Sequence, residues 1–173
     1  MSAVHGRRAR GRTHGTIHHL GTALLAFGIA LGVIRAARYA LRILGAALDL
    51  SENQATLVVI AQIAGYGSAA ALEVAIVVAG IWLAVRARGR TRLAGIAAAI
   101  TAVVLPLVGF VLFPVQEAAI GSAGTADGAR SIPGAFDALG IVLSLVAAGV
   151  VIACGILARR GDGRAQDTMS AVT

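Results

Sequence analysis

The chain reads as a succession of long apolar runs separated by short polar breaks. Helices that bury one face in a soluble core show spaced apolar stripes instead. Residues 1–16 are polar, Gly-rich and basic, and read as a loosely ordered arm. An apolar run begins near Ile17 and continues, with three Arg in its second half, to about Leu50, where Ser51-Glu52-Asn53-Gln54 supplies the first turn signal. A second run, Ala55 to Val85, stops at the cluster Arg86, Arg88, Arg90 and Arg92. A third, Leu93 to Phe113, contains Pro106 and meets Pro114; a fourth extends from Ala135 to Ala158 and ends at Arg159-Arg160.

A transmembrane helix needs about 20 predominantly apolar residues. The pattern therefore predicts an all-α, integral membrane four-helix bundle with spans at about 17–40, 62–85, 93–113 and 135–158. A polar loop at 115–134 and a hydrophilic tail at 159–173 complete the predicted organisation. At about 1.5 Å per residue, a helix from 17 to 50 exceeds a hydrocarbon core of about 30 Å. Either the first two helices form an overlong hairpin, or the first breaks near Arg35 into a span and an interfacial amphipathic piece.

Charge then orients the bundle. All fifteen cationic residues are Arg, against eight acids, for a formal net charge of +7. Eleven of the fifteen fall in the arm, the 86–92 loop and the tail, which a four-span chain places on one side. The positive-inside rule assigns that side to the cytoplasm, so both termini are expected inside a cell (inner) membrane. Trp82, one turn before Arg86, suits the same interface. Arg86, Arg88, Arg90, Arg92, Arg159 and Arg160 are expected to meet anionic headgroups, which removes the need for a nucleic-acid partner despite a pI near 11.4. The Arg bias, with abundant Ala, Gly and Val, suggests a GC-rich bacterial genome. The run behind Arg7-Arg8 resembles a signal peptide, but no clean small-x-small site follows it, and retention is expected.

Composition narrows the chemistry. With 58% hydrophobic and 13% charged residues, little polar surface remains for a soluble catalytic domain. The lone Cys154 excludes an intramolecular disulfide or a CxxC redox pair. The four His lie at 5, 14, 18 and 19, so haem ligation between facing spans is not expected. His14 and His18 have the i, i+4 spacing of a metal pair, but no further ligand lies near them in sequence. No cofactor, metal or catalytic constellation is expected.

One carboxylate stands apart. Any span ending at Arg86 includes Glu73, about 18 Å from that edge by the helical rise. An ionisable group at that depth is costly and faces a bundle interior or a water cavity. Its expected partner is Arg35, about 22 Å deep if the first helix enters at Leu20. Gly21, Gly28, Gly32, Arg35, Arg38, Arg42 and Asp49 share one helical face; Gln62, Tyr66, Ala69, Glu73, Gly80 and Ala84 share another. Opposing these faces puts Glu73 near Arg35 and Gln62 near Arg42, with Gln62 and Tyr66 as further hydrogen-bonding groups. Arg38 and Arg42 are expected to snorkel into the outer headgroups.

Two more small-residue faces appear: Gly95, Ala99, Ala102, Pro106, Gly109 and Phe113, then Asp137, Gly140, Ser144, Ala148 and Gly155. Such faces let helices approach closely in lipid. Asp137 reads as an acid in the first turn of the last helix. The sequence thus points to a non-enzymatic multi-pass membrane or accessory subunit, working with a membrane-protein partner or as a homo-oligomer. The alternative is a small oligomeric transporter or channel using the Glu73–Arg35 pair.

Overall fold

A computed structural model describes the backbone of residues 3–48 and 51–170, and the side chains of 15–45, 48, 51–125 and 131–160. Arg7, Arg8, Arg10, Arg12, His14, Asp49, Asp127, Arg130 and Arg164 lie outside the described side chains. Four helices follow one another: α1 Ala3–Ala47, α2 Glu52–Arg86, α3 Gly89–Ser122 and α4 Ala126–Ser170. Each contains a segment long and apolar enough to cross a membrane: Gly15–Gly45, Glu52–Arg86, Gly89–Ser122 and Ser131–Arg160. The chain has the build of a multi-pass membrane protein. Each helix packs on its neighbour in sequence, and α1 closes the ring against α4.

The connections are short because the turn chemistry is local. Ser51 precedes α2, and its backbone N–H donates to the Gln54 side chain at 3.1 Å, one arm of a capping box. Ala87 closes α2 by donating to the Leu83 carbonyl at 2.8 Å, and Gly89 opens α3 at φ +60, where a side chain would be strained. Only residues 123–125 separate α3 from α4, with Ala123 N–H on the Ile120 carbonyl at 3.2 Å.

Several expected boundaries are corrected. Of the expected loose arm at 1–16, residues 3–16 are helical instead: helix α1 starts at Ala3 and runs unbroken through Arg35, so the interfacial break does not occur. The 115–134 loop is mostly helix, because Pro114 and Pro133 sit inside α3 and α4. Proline removes one backbone hydrogen bond, but the stretch Val115-Gln116-Glu117-Ala118-Ala119 is rich in helix formers and resumes the ladder at once. The tail likewise continues α4 to Ser170.

Packing divides the bundle into two halves. Among the described residues, the buried positions are confined to 21–31 on α1, 69–83 on α2, 87–102 on the α2–α3 turn and α3, and 144–158 on α4. Leu24, Leu31, Ile76, Leu83 and Val151 fill this half, interleaved with Ala and Gly. Two glycine crossings set its tightness. A Cβ on Gly95 would lie 2.6 Å from the Gly80 carbonyl oxygen, and one on Gly155 would lie 2.8 Å from that of Gly21. Buried Cys154 is part of the same packing. Beyond residues 31, 102 and 144, and before 69, no described residue is buried, and the helices part.

Candidate functional site

Where the helices part, the small-residue faces turn polar at a common level. On α1 the face runs from Gly28 and Gly32 to Arg35, Arg38 and Arg42; on α2 it runs from Gly80 to Glu73, Tyr66 and Gln62. Because α1 and α2 are antiparallel and tied by a short turn, equal steps along each keep these groups in register. The Arg35 guanidinium donates from Nη2 to the Glu73 carboxylate and from Nη1 to the Ser144 hydroxyl of α4 at 3.2 Å. Three helices are thereby stapled at the top of the packed half. Both charged side chains are 13% exposed, and the Arg35 Nε is buried without a hydrogen-bond partner.

This staple is the floor of a cavity of about 430 Å³. Arg35, Arg38, Tyr39 and Arg42 of α1 and Phe136, Asp137, Gly140 and Ser144 of α4 form one side. Tyr66, Ala69 and Glu73 come from α2. The α3 wall is Leu105, Pro106, Val108, Gly109, Leu112 and Phe113, with Gln116 its one polar side chain. Tyr66, Ala70, Pro106, Gly109 and Phe113 line the cavity yet are exposed, so it opens sideways between α2 and α3.

The remaining cations are held differently. Arg38 lies flat against α2, where a Cβ on Gly65 would sit 2.7 Å from its Cγ, and its guanidinium stacks over the Tyr66 ring at 3.2 Å from the centroid. That is cation–π geometry. Its Nε is buried and has no partner. Arg42 reaches Asp137 at 3.0 Å, and Tyr39 rests its hydroxyl end on Gly140 of α4. A smaller recess of about 50 Å³, bounded by Arg38, Tyr39, Arg42, Gln62 and Tyr66, adjoins them.

The structure brings Arg35, Arg38, Arg42, Tyr66 and Glu73 around one space, with Gln62 at its side. Gln62 and Tyr66 do not supply the hydrogen bonds foreseen for the ion pair; Ser144 does, from a helix distant in sequence. Arg38 and Arg42 face the cavity rather than lying in a separate interfacial piece. Asp137 is not a first-turn acid: α4 begins eleven residues earlier, at Ala126, and the carboxylate pairs with Arg42. Asp137 and Ser144 already share a sequence face with Gly140, so the missing signal was which helix that face meets. Tyr39, one residue off the Arg stripe, had no such signal.

At the opposite end Arg86 lies over Trp82, 5.1 Å from the ring centroid, while Arg88, Arg90, Arg92, Arg159 and Arg160 are exposed. His18 is exposed beside His19 with edge-on rings, and among the described residues no three His, Cys, Asp or Glu side chains converge as a metal site. The part-buried Thr101 hydroxyl is satisfied within its own helix, donating to the Ala97 carbonyl at 2.8 Å.

The two ion pairs differ in worth. The Arg42 side chain is 47% exposed, and pairs of that kind contribute about 0–1 kcal/mol. Arg42→Ala is expected to lower thermal stability in detergent only slightly, far less than loss of Glu73; circular dichroism melts of both variants measure the contrast.

No protein-family model, curated protein or solved structure matches this chain.

Proposed function

We propose that the protein is a non-enzymatic multi-pass subunit of the bacterial cell (inner) membrane, with both termini and the α2–α3 turn in the cytoplasm. The observation that carries this reading is the two-ended build of the bundle. One end bears Arg86, Arg88, Arg90, Arg92, Arg159 and Arg160, and its helices pack backbone to backbone. The other end holds the cavity. Cytoplasmic Arg enrichment sets orientation, so the Arg-rich end faces inward and the cavity outward. The glycine crossings and the Arg35–Glu73–Ser144 staple favour a static scaffold, and the apolar outer surfaces of the helices are available to lipid or to a membrane-protein partner.

A reporter active only outside the cytoplasm, fused in the 123–125 connection, is expected to be active, and the same reporter after residue 173 silent. The reverse pattern overturns the orientation. Extraction from native membranes in mild detergent is expected to yield a stoichiometric complex with a second polypeptide. A monodisperse homo-oligomer that moves a solute in proteoliposomes overturns the subunit role.

One observation favours the transporter reading: the cavity ends on an ion pair, as the outward vestibule of a gated pathway would. In that case Glu73→Gln abolishes flux while the protein stays folded.

A further inference from the structure

The cavity has an unmatched cation. Its lining carries three Arg and two carboxylates, and the pairs Arg35–Glu73 and Arg42–Asp137 use both acids. Arg38 has no carboxylate partner among the described residues. Stacking on Tyr66 occupies the face of its guanidinium and leaves the in-plane N–H donors free, and that fork matches the geometry of a phosphate. The buried Nε groups of Arg38 and Arg35 both lack acceptors. Those two atoms are closed off from the cavity, so the terminal nitrogens of Arg38 are the donors an oxyanion there would meet, gaining both charge and hydrogen bonds.

The walls say what else the ligand carries. Opposite the Arg stripe, α3 contributes an almost wholly apolar surface, and the opening lies between α2 and α3 at Tyr66, Pro106, Gly109 and Phe113. Depth agrees. Counting from Leu20, Val85, Leu93 and Ala158 at the Arg-rich end, the residues Arg38, Tyr66, Phe113 and Gly140 lie between about 27 and 30 Å away. A hydrocarbon core is about 30 Å thick, so the Arg38 level lies at the opposite headgroup boundary, and the mouth extends from Tyr66 and Phe113 there down to Gly109 and Pro106, about 24 and 20 Å along. Tyr39, Tyr66, Phe113 and Phe136 gather at that level, where aromatic rings belong. The opening therefore faces the lipid phosphates sideways.

We infer that the cavity binds one anionic phospholipid of that leaflet, its phosphodiester held by Arg38 and its chains leaving between α2 and α3. A volume of about 430 Å³ suits a headgroup and its glycerol rather than a whole lipid. The single excess positive charge suits a monoanionic phosphodiester. This inference rests on the bundle being embedded in a membrane, but not on which side is cytoplasmic.

The test is native mass spectrometry of the purified full chain, delipidated in neutral detergent and titrated with phosphatidylglycerol, phosphatidylcholine or inorganic phosphate. The expected result is one phosphatidylglycerol retained per chain, with phosphatidylcholine at least tenfold weaker. Arg38→Gln should weaken phosphatidylglycerol about tenfold, the scale of one charged hydrogen bond. Gly109→Phe gives an independent check: a Cβ there meets nothing within 4 Å, so the added side chain starts in open space at the mouth. It should block retention while circular dichroism shows the protein still folded. Equal retention of both lipids, or phosphatidylglycerol retention that survives both Arg38→Gln and Gly109→Phe, overturns the inference. So does competition by millimolar inorganic phosphate, which would make the ligand a free anion. The fusion reporters read orientation separately, so failure here leaves that assignment standing.

Discussion

Replacing Glu73 by Ala is expected to cost about 3 kcal/mol of stability, because it strands the Arg35 guanidinium at the centre of the bundle. The physical reason is asymmetry. An ion pair removed from water gains little net energy over a well-packed apolar pair, yet a lone charge in the same place keeps the whole desolvation penalty. Arg35 retains only the Ser144 hydroxyl after the change, and its Nε is unpartnered already. The melting temperature of Glu73→Ala in detergent should fall well below that of the parent. The double variant Arg35→Met, Glu73→Met should recover most of the loss, since it removes both charges and keeps volume. Recovery would identify the pair as a structural staple. If the single variant melts like the parent, cavity water already solvates Arg35 and the staple carries no stability.

The second large effect is expected at Gly95. A Cβ there would lie 2.6 Å from the Gly80 carbonyl oxygen and 2.8 Å from the Ala84 nitrogen, both backbone atoms that cannot swing aside. Gly→Ala inside a helix ordinarily gains about 1 kcal/mol from backbone entropy. At Gly95 that gain is outweighed, because α2 and α3 must separate along the packed half, where dispersion between close backbones replaces the hydrophobic effect. Overpacking of this kind typically costs about 1–3 kcal/mol. Gly95→Leu is therefore expected to melt lower than the parent, while Gly67→Ala, with nothing within 4 Å of the new Cβ, should be neutral or slightly stabilising. Thermal unfolding of the two variants side by side separates helix propensity from helix approach. A Gly95→Leu protein as stable as the parent would mean that the crossing is loose.

These two effects share a cause. In a bilayer, helices of this kind gain nothing from burying apolar surface, and a bundle holds together where backbones meet closely and where polar groups find partners. The first condition is met in the Arg-rich half by Gly21, Gly28, Gly80, Gly95 and Gly155; the second is met at Arg35, Glu73 and Ser144. Between the staple and the hairpin turns no described residue is buried and the polar contacts, Arg42 with Asp137 and Arg38 over Tyr66, join half-open side chains, so the helices part around the cavity.

Much of this was legible in the chain. Long apolar runs have one stable solution in a bilayer, so four helices followed from hydropathy alone, and antiparallel order followed from short polar breaks. The depth of Glu73 could be counted from Arg86, and the cations on α1 made Arg35 its expected partner, although a break of the first helix near Arg35 stayed open until the helix was seen to run through it. The helix ends were not legible: Pro114 looked like a stop and 115–134 like a loop, but the lost hydrogen bond and ring clash of a proline are outweighed where the flanking residues keep the helical ladder going. Nor could the sequence choose among faces. Asp137, Gly140 and Ser144 formed a visible stripe on α4, and only closure of the ring, with α4 against α1, decided that this stripe would meet Arg35, Tyr39 and Arg42. Periodicity determines which residues share a face. Which faces oppose each other is settled by packing between helices far apart in sequence, and that alone made three Arg and two acids into a cavity with one cation left over.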